Sequence, residues 1–182
     1  DPDGFPLTTD THDDLSPTVA SDGAGYLVAW QDDYTSLPTV VAARVSASGV
    51  VQDATPLVVA TNVVNKPAAA FGGGQYMLTW DVNNAIRAAR VLPSGVLLDP
   101  SPGLSIGNGT FPAIAYGPNQ FVIATRRYDS GLGGLQVRAH RVSGAGVSLD
   151  PTGIVVSSTL FTGPTGSDRR LGPEIAFDGV DM

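Results

Sequence analysis

Short apolar runs separated by glycine-bearing turns recur along the chain at fixed spacing. Pro17–Ser21 reads as a strand, Asp22-Gly23 as a turn, and Tyr26–Trp30 as a second, more apolar strand, the pattern of a β-hairpin. The hairpin returns twice: Pro17 to Trp30, Pro67 to Trp80 and Pro112 to Thr125 are each 13 positions apart. A truncated copy opens at Gly172 and runs to Met182. Each complete copy is followed by a second hairpin, turning at Ser48-Gly49, Ser94-Gly95 and Ala145-Gly146. Within it Arg44 and Asp53, Arg90 and Asp99, and Arg141 and Asp150 are each 9 apart. Two-residue turns set these residues opposite one another, so the pattern predicts three register-fixing ion pairs, each worth roughly 0.2–1 kcal/mol. A catalytic or ligand role for the trio is the lesser reading.

Two hairpins give four strands in a unit of about 45–60 residues, which matches one blade of a β-propeller. The expected fold is all-β, with about three complete four-stranded blades and partial blades at both ends. The divisions fall at 1–15 (the outer strand of a preceding blade), 16–65, 66–110 and 111–171 (blades), and 172–182 (the first strand of a further blade). They form one propeller domain, expected to be incomplete, a piece of a longer protein. A β-sandwich or β-solenoid built from the same hairpins is the alternative. Ala20, Ala70, Ala115 and Ala176 each follow the repeat proline by three, and a small residue suits an innermost strand where blades crowd an axis. Tyr26 with Trp30, and Tyr76 with Trp80, share side-chain parity and are expected to fill the gaps between blades.

Composition narrows the function more than it specifies it. The chain carries a single lysine (Lys66), a single glutamate (Glu174) and no cysteine. Thiol nucleophiles, disulfides and zinc–thiolate centres are therefore excluded. A net charge of −7 argues against nucleic acid, which needs clustered Lys and Arg. No apolar run approaches the roughly 18 residues of a spanning helix, so membrane insertion is not expected.

The connections on one side of the repeat vary in length while the hairpin turns do not, and variable loops are where recognition concentrates. Candidate ligand-binding residues there are Asp32, Asp33, Tyr34, Asn83, Asn84, Arg127, Tyr128 and Asp129, a mixture suited to sugars or to protein surfaces. Asp10, Asp13 and Asp14 are weak metal candidates, with Ca²⁺ as the ion. No other cofactor is expected. Gly103-Leu104-Ser105-Ile106-Gly107 matches a nucleophile-elbow pattern, but that chemistry needs a strand–turn–helix corner and Ser105 falls on a strand of the repeat. His140 takes the place of Ala43 and Ala89 and reads as drift. No catalytic residue is assigned.

The unit Pro-x-Val/Ile-Ala-x-Asp-Gly-x-x-Tyr-Leu-Val-x-Trp, followed by Ala-x-Arg-Val-x-x-x-Gly-x-x-Leu-Asp, resembles a repeat of large bacterial secreted and cell-surface proteins with a propeller-like architecture. The resemblance departs at Thr125, where Trp is expected. It implies an extracellular or surface-attached location and a scaffold or adhesive role. The expectation is thus a non-catalytic binding or scaffold module, adhesin- or lectin-like, with the balance against an enzyme. The alternatives are part of a secreted enzyme (a propeller hydrolase or lyase, or a propeller appended to a catalytic domain) and a self-assembling surface structure joined through incomplete blades.

Overall fold

The computed structural model describes residues 3–33, 38–61, 66–157 and 172–178. Among them lie twelve strands: β1 (Asp14–Ser21), β2 (Gly25–Asp32), β3 (Thr39–Ser46), β4 (Leu57–Ala60), β5 (Ala68–Gly72), β6 (Gln75–Val82), β7 (Ala85–Val91), β8 (Leu104–Asn108), β9 (Thr110–Gly117), β10 (Gln120–Asp129), β11 (Gly134–Ser143) and β12 (Ile154–Val155). They form three antiparallel four-stranded sheets, β1–β4, β5–β8 and β9–β12, each in sequence order. The chain is therefore all-β. The first strands β1, β5 and β9 stand side by side, and Pro17, Pro67, Pro112, Lys66 and Glu174 line a common central cleft of about 170 Å³.

Strand alternation gives every sheet two faces, and both are apolar. One face, here termed leading, carries Tyr26, Val28 and Trp30 opposite Val45, Ala43 and Val41 in the first sheet. In the second it carries Tyr76 and Leu78 opposite Val91 and Ala89, and in the third Phe121 and Ile123 opposite Val142 and His140. The trailing face carries Leu27 and Ala29, then Met77 and Ala88. The core lies between sheets. Leu27, Ala29, Val40 and Ala42 of the first sheet pack on Tyr76, Leu78, Trp80 and Val91 of the second. Met77, Ile86, Ala88 and Ile106 of the second pack on Ile114, Phe121, Ile123 and Val142 of the third. Tyr76 and Trp80 thus fill the space between sheets. Ala20 and Ala115 are buried, but Ala70 is only partly so and Ala176 is exposed, so crowding does not account for all four alanines.

The three Arg–Asp pairs do more than hold a hairpin. Arg44 meets Asp53 at 2.6 Å, Arg90 meets Asp99 at 2.8 Å and Arg141 meets Asp150 at 2.7 Å. Each carboxylate also accepts from the main-chain N–H of its own arginine. The guanidinium then reaches into the next sheet. Arg44 Nη1 donates to the carbonyl of Pro93 (3.3 Å) and Arg90 Nη1 to that of Gly144 (3.2 Å). The turns that receive them need glycine on two counts. Gly95 and Gly146 have φ of +87° and +81°, and a Cβ on either would stand 3.0–3.1 Å from the incoming guanidinium.

The third sheet breaks the repeat at two coupled positions. Thr125 stands where Trp30 and Trp80 do, and His140 where the alanines do. His140 is fully buried, with Nε2 3.4 Å from Thr125 Oγ1 and Nδ1 2.9 Å from the Asp150 carbonyl. The imidazole occupies volume that an indole fills in the other sheets, so the exchange is compensated rather than drifted. Burial pushes the pKa of His140 down, although the Asp150 carbonyl and carboxylate oppose it.

Two outcomes are expected. Arg90→Ala removes a half-buried ion pair together with an inter-sheet bond, and should lower unfolding stability by about 1–3 kcal/mol in urea titration; Arg141→Ala, whose side chain is far more exposed, should cost less. Because the folded-state pKa of His140 is depressed, its contribution is fully present above the unfolded value of about 6.5 and is lost as pH falls below it. The melting temperature should therefore drop between about pH 7.5 and 5, with a shallower slope in His140→Asn.

Candidate functional site

Two first strands carry the same irregularity next to the repeat proline. Ser16 and Phe111, immediately before Pro17 and Pro112, both have φ of +53°. The pairing register shifts there, between Leu15 and Thr18 in β1 and between the partners of Ala124 and Arg126 in β9. A left-handed non-glycine residue costs on the order of 1 kcal/mol or more, and such strain gathers at functional sites. A bulge also re-aims the side chains beyond it. In β1 those side chains begin with Asp14.

Asp14 pairs across the sheet with Asp32 and accepts a 2.5 Å hydrogen bond from Trp30 Nε1. It lines a cleft of about 300 Å³ with Pro6, Leu7, Thr8, Pro17, Val28 and Trp30. Burial in this apolar surround raises its pKa; the Trp30 donor opposes the rise, and the charges of Asp10 and Asp32 add to it. Asp10 is in the opposite environment. It accepts from the Thr8 hydroxyl and from the His12 main-chain N–H, and these bonds lower its pKa. His12 Nδ1 lies 3.2 Å from Asp32 Oδ1 and 3.6 Å from Asp10 Oδ1. One end of the first sheet thus gathers three carboxylates, an imidazole and an indole. The ligand atoms of Asp10, His12 and Asp32 fall within 4.8 Å of one another. This one-nitrogen, two-oxygen set is the kind that transition metals accept, and it is short of the six to eight oxygens of a calcium shell.

The sequence reading grouped Asp10 with Asp13 and Asp14 as metal candidates. The structure instead joins Asp10 to His12 and Asp32, because the strand pairing brings the end of β2 beside the segment before β1. Of the loop residues proposed as ligand-binding, Asp32 belongs to this cluster and Asp33 follows it, donating its N–H to the Asp13 carbonyl. Tyr34 lies outside the described residues. Asn83 and Asn84 form the β6–β7 turn, with φ of +50° and +65°, the geometry of a tight hairpin turn. Asp129 closes the β10–β11 turn by accepting from Gly131 and Leu132. Arg127 donates to the Thr152 carbonyl, and Tyr128 is exposed. None of these five lines the Asp14 cleft.

A second polar group forms between the second and third sheets. Asp81 is buried and accepts from the Phe111 N–H at 3.1 Å. The Arg126 guanidinium lies 4.4 Å from the centre of the Phe111 ring, a cation–π distance. Burial lowers the Arg126 pKa, and the charge of Asp81 counters it. Gln31, Asp81 and Arg126 hold one repeat position, directly after Trp30, Trp80 and Thr125. Ser105 lies on β8 with no helix following, so its motif has no elbow.

No protein-family model matches the chain, and no curated protein matches it. Among solved structures it is similar to a GH43 endo-arabinanase from Bacillus licheniformis, with a TM-score of 0.50 at 14% identity, over 81% of this chain and 61% of that one. An exo-1,5-alpha-L-arabinanase from a bovine ruminal metagenomic library gives 0.49 at 12% identity, over 80% and 59%. The chain therefore spans about three-fifths of each of these enzymes, and the likeness shows the fold: several four-stranded antiparallel sheets in the GH43 arrangement. This finding corrects the expectation of a non-catalytic scaffold, binding or adhesion module and the balance struck against an enzyme, since the solved structure whose fold it resembles is an endo-arabinanase. Among the described residues no helix is long and apolar enough to cross a membrane.

The environment of Asp14 has a measurable signature. Its folded-state pKa is raised, so its carboxyl contributes stability that is present below the unfolded value of about 3.9 and lost as pH rises through the folded one. Asp14→Asn, neutral at every pH, should raise the melting temperature at pH 7, by less than about 3 °C, and leave it unchanged near pH 3 in thermal denaturation.

Proposed function

We propose that this chain is part of a secreted propeller-type glycoside hydrolase, its sheets serving as blades, that acts on an arabinan-like polysaccharide at the Asp14 end of the first sheet. The observation that carries the reading is the pair of carboxyls in opposed environments. Asp14 lines an apolar cleft and accepts from the Trp30 N–H with its pKa raised, whereas Asp10 accepts from the Thr8 hydroxyl and the His12 N–H with its pKa lowered. Glycoside hydrolysis uses such a pair, one protonated and one ionised. The likeness in fold to an endo-arabinanase supports the substrate class.

In this reading the protonated Asp14 gives its proton to the glycosidic oxygen as the bond to the anomeric carbon breaks. Ionised Asp10 takes a proton from the water that attacks that carbon. Trp30 holds Asp14 in place through its N–H, and the apolar walls formed by Pro6, Leu7 and Val28 favour the protonated form of Asp14 and offer an apolar surface to a sugar ring. The charge of Asp32 adds to the rise at Asp14, and that of His12 opposes it.

Reducing-end release from arabinan by the purified chain tests the proposal. Asp14→Asn should reduce the rate by about 10²–10⁴-fold, and the wild-type rate should fall as pH rises through the Asp14 pKa. A wild-type rate no faster than buffer on arabinan and on other pentose and hexose polysaccharides would overturn it.

A further inference from the structure

We propose that the Asp150–Pro151 peptide bond cleaves itself: the Asp150 carboxylate attacks its own main-chain carbonyl while His140 and the Gly153 N–H hold the carbonyl oxygen.

Asp99-Pro100 and Asp150-Pro151 stand at the same place in the second and third repeats, and the structure treats the two bonds differently. The Asp150 carbonyl oxygen accepts from His140 Nδ1 at 2.9 Å and from the Gly153 main-chain N–H at 2.9 Å. A carbonyl only accepts, so Nδ1 carries the proton, and Nε2 faces the Thr125 hydroxyl at 3.4 Å. Two N–H donors at this distance have the geometry of an oxyanion hole. The imidazole is tightly seated: His140 is fully buried, and a Cβ on Gly107 or Gly153 would stand 2.6 or 2.9 Å from its Cε1. At Asp99 the turn closes one carbonyl further on, Gly103 donating to Pro100, and Ala89 takes the place of His140.

The nucleophile belongs to the same residue. When a side-chain oxygen of Asp150 closes on its own carbonyl carbon, a cyclic anhydride forms, and the attack is intramolecular with a high effective concentration. The new C–O bond forms, the C–N bond to Pro151 breaks, and the proline nitrogen takes a proton from solvent. Water then opens the anhydride, leaving Asp150 as a C-terminus and Pro151 as a free secondary amine. Pro151 is exposed, so solvent reaches both steps.

Arg141 restrains the reaction. Its Nε and Nη2 bind Asp150 Oδ2 and Oδ1 at 2.7 and 3.0 Å, and its main-chain N–H donates to Oδ2. These bonds lower the pKa of the carboxyl, which keeps the nucleophile ionised, but they occupy both oxygens, so attack waits until the pair parts. With the Arg141 side chain 47% exposed, against 23% for Arg44 and 19% for Arg90, this is the most open of the three pairs.

Incubation of the purified, folded chain in mildly acidic buffer, followed by intact mass and N-terminal sequencing, tests the proposal. The expected result is conversion of the 18.7 kDa chain into two pieces, the second beginning Pro151-Thr152-Gly153-Ile154, with the Asp99–Pro100 bond intact. Arg141→Ala should speed the cut by about tenfold or more. His140→Ala should slow it by about tenfold or more. So should His140→Ala combined with Thr125→Trp, which restores the residues of the other two sheets and refills the space. Circular dichroism checks that each variant is folded. No cut at Asp150, equal cutting at Asp99 and Asp150 in the folded chain, or a rate indifferent to both His140 variants would overturn the proposal.

Discussion

Everything else in this molecule depends on the packing of one sheet's trailing face on the next sheet's leading face. A lone four-stranded meander with two apolar faces has no interior, and it gains one only from a neighbour. Tyr76, Leu78, Trp80 and Phe121 reach near-complete burial because the preceding sheet lies against them. At roughly 25 cal/mol per Å² of apolar surface, these large side chains dominate the favourable side of folding. The Arg–Asp pairs act on this packing as clamps. The aspartate holds the arginine's main-chain N–H and its guanidinium at once, and the guanidinium spans the gap to the next turn. A surface ion pair alone would be worth little; joined to a bond between sheets, it fixes how far one sheet slides on another.

The same packing explains why the polar site sits where it does. Face-to-face stacking consumes both faces of a sheet, so functional side chains are left to the strand ends. Asp14, Asp32, Asp81 and Arg126 all lie at the ends of β1, β2, β6 and within the far half of β10. The bulges at Ser16 and Phe111 turn these ends without disturbing the stacked part of the strand. Asp14 owes its raised pKa to the edge of the apolar packing, where Val28 and Trp30 of the leading face come within reach of water.

Much of this was legible in the residue pattern. The 13- and 9-residue spacings gave the hairpins and the Arg–Asp facing, because both lie within rigid local turns. The parity of Tyr76 and Trp80 placed them between sheets. What the pattern could not supply was any contact across a joint of variable length. Asp32 is separated from Asp10 and His12 by a whole hairpin, and the meeting of Asp14 with Trp30 lies beyond a bulge that Ser16-Pro17 does not announce. His140 was misread as drift because a buried imidazole makes sense only beside the Thr125 that has lost its indole. The functional expectation erred in the same direction. A repeat without a recognisable motif looked inert, whereas a site can be assembled from strand ends that share no motif.

The clamp also sets how the sheets communicate. The Arg44 and Arg90 guanidinium groups each bind their own aspartate and the turn immediately following, so the contacts run from neighbour to neighbour, as in a one-dimensional array. The second sheet is gripped on both sides and the first and third on one each. Local opening therefore begins at the outer sheets and reaches the centre last. The polar cluster at Asp14 stands on one of those outer sheets, in the part of the molecule that yields first, and whatever covers the first sheet sets the rigidity of that cluster without touching it.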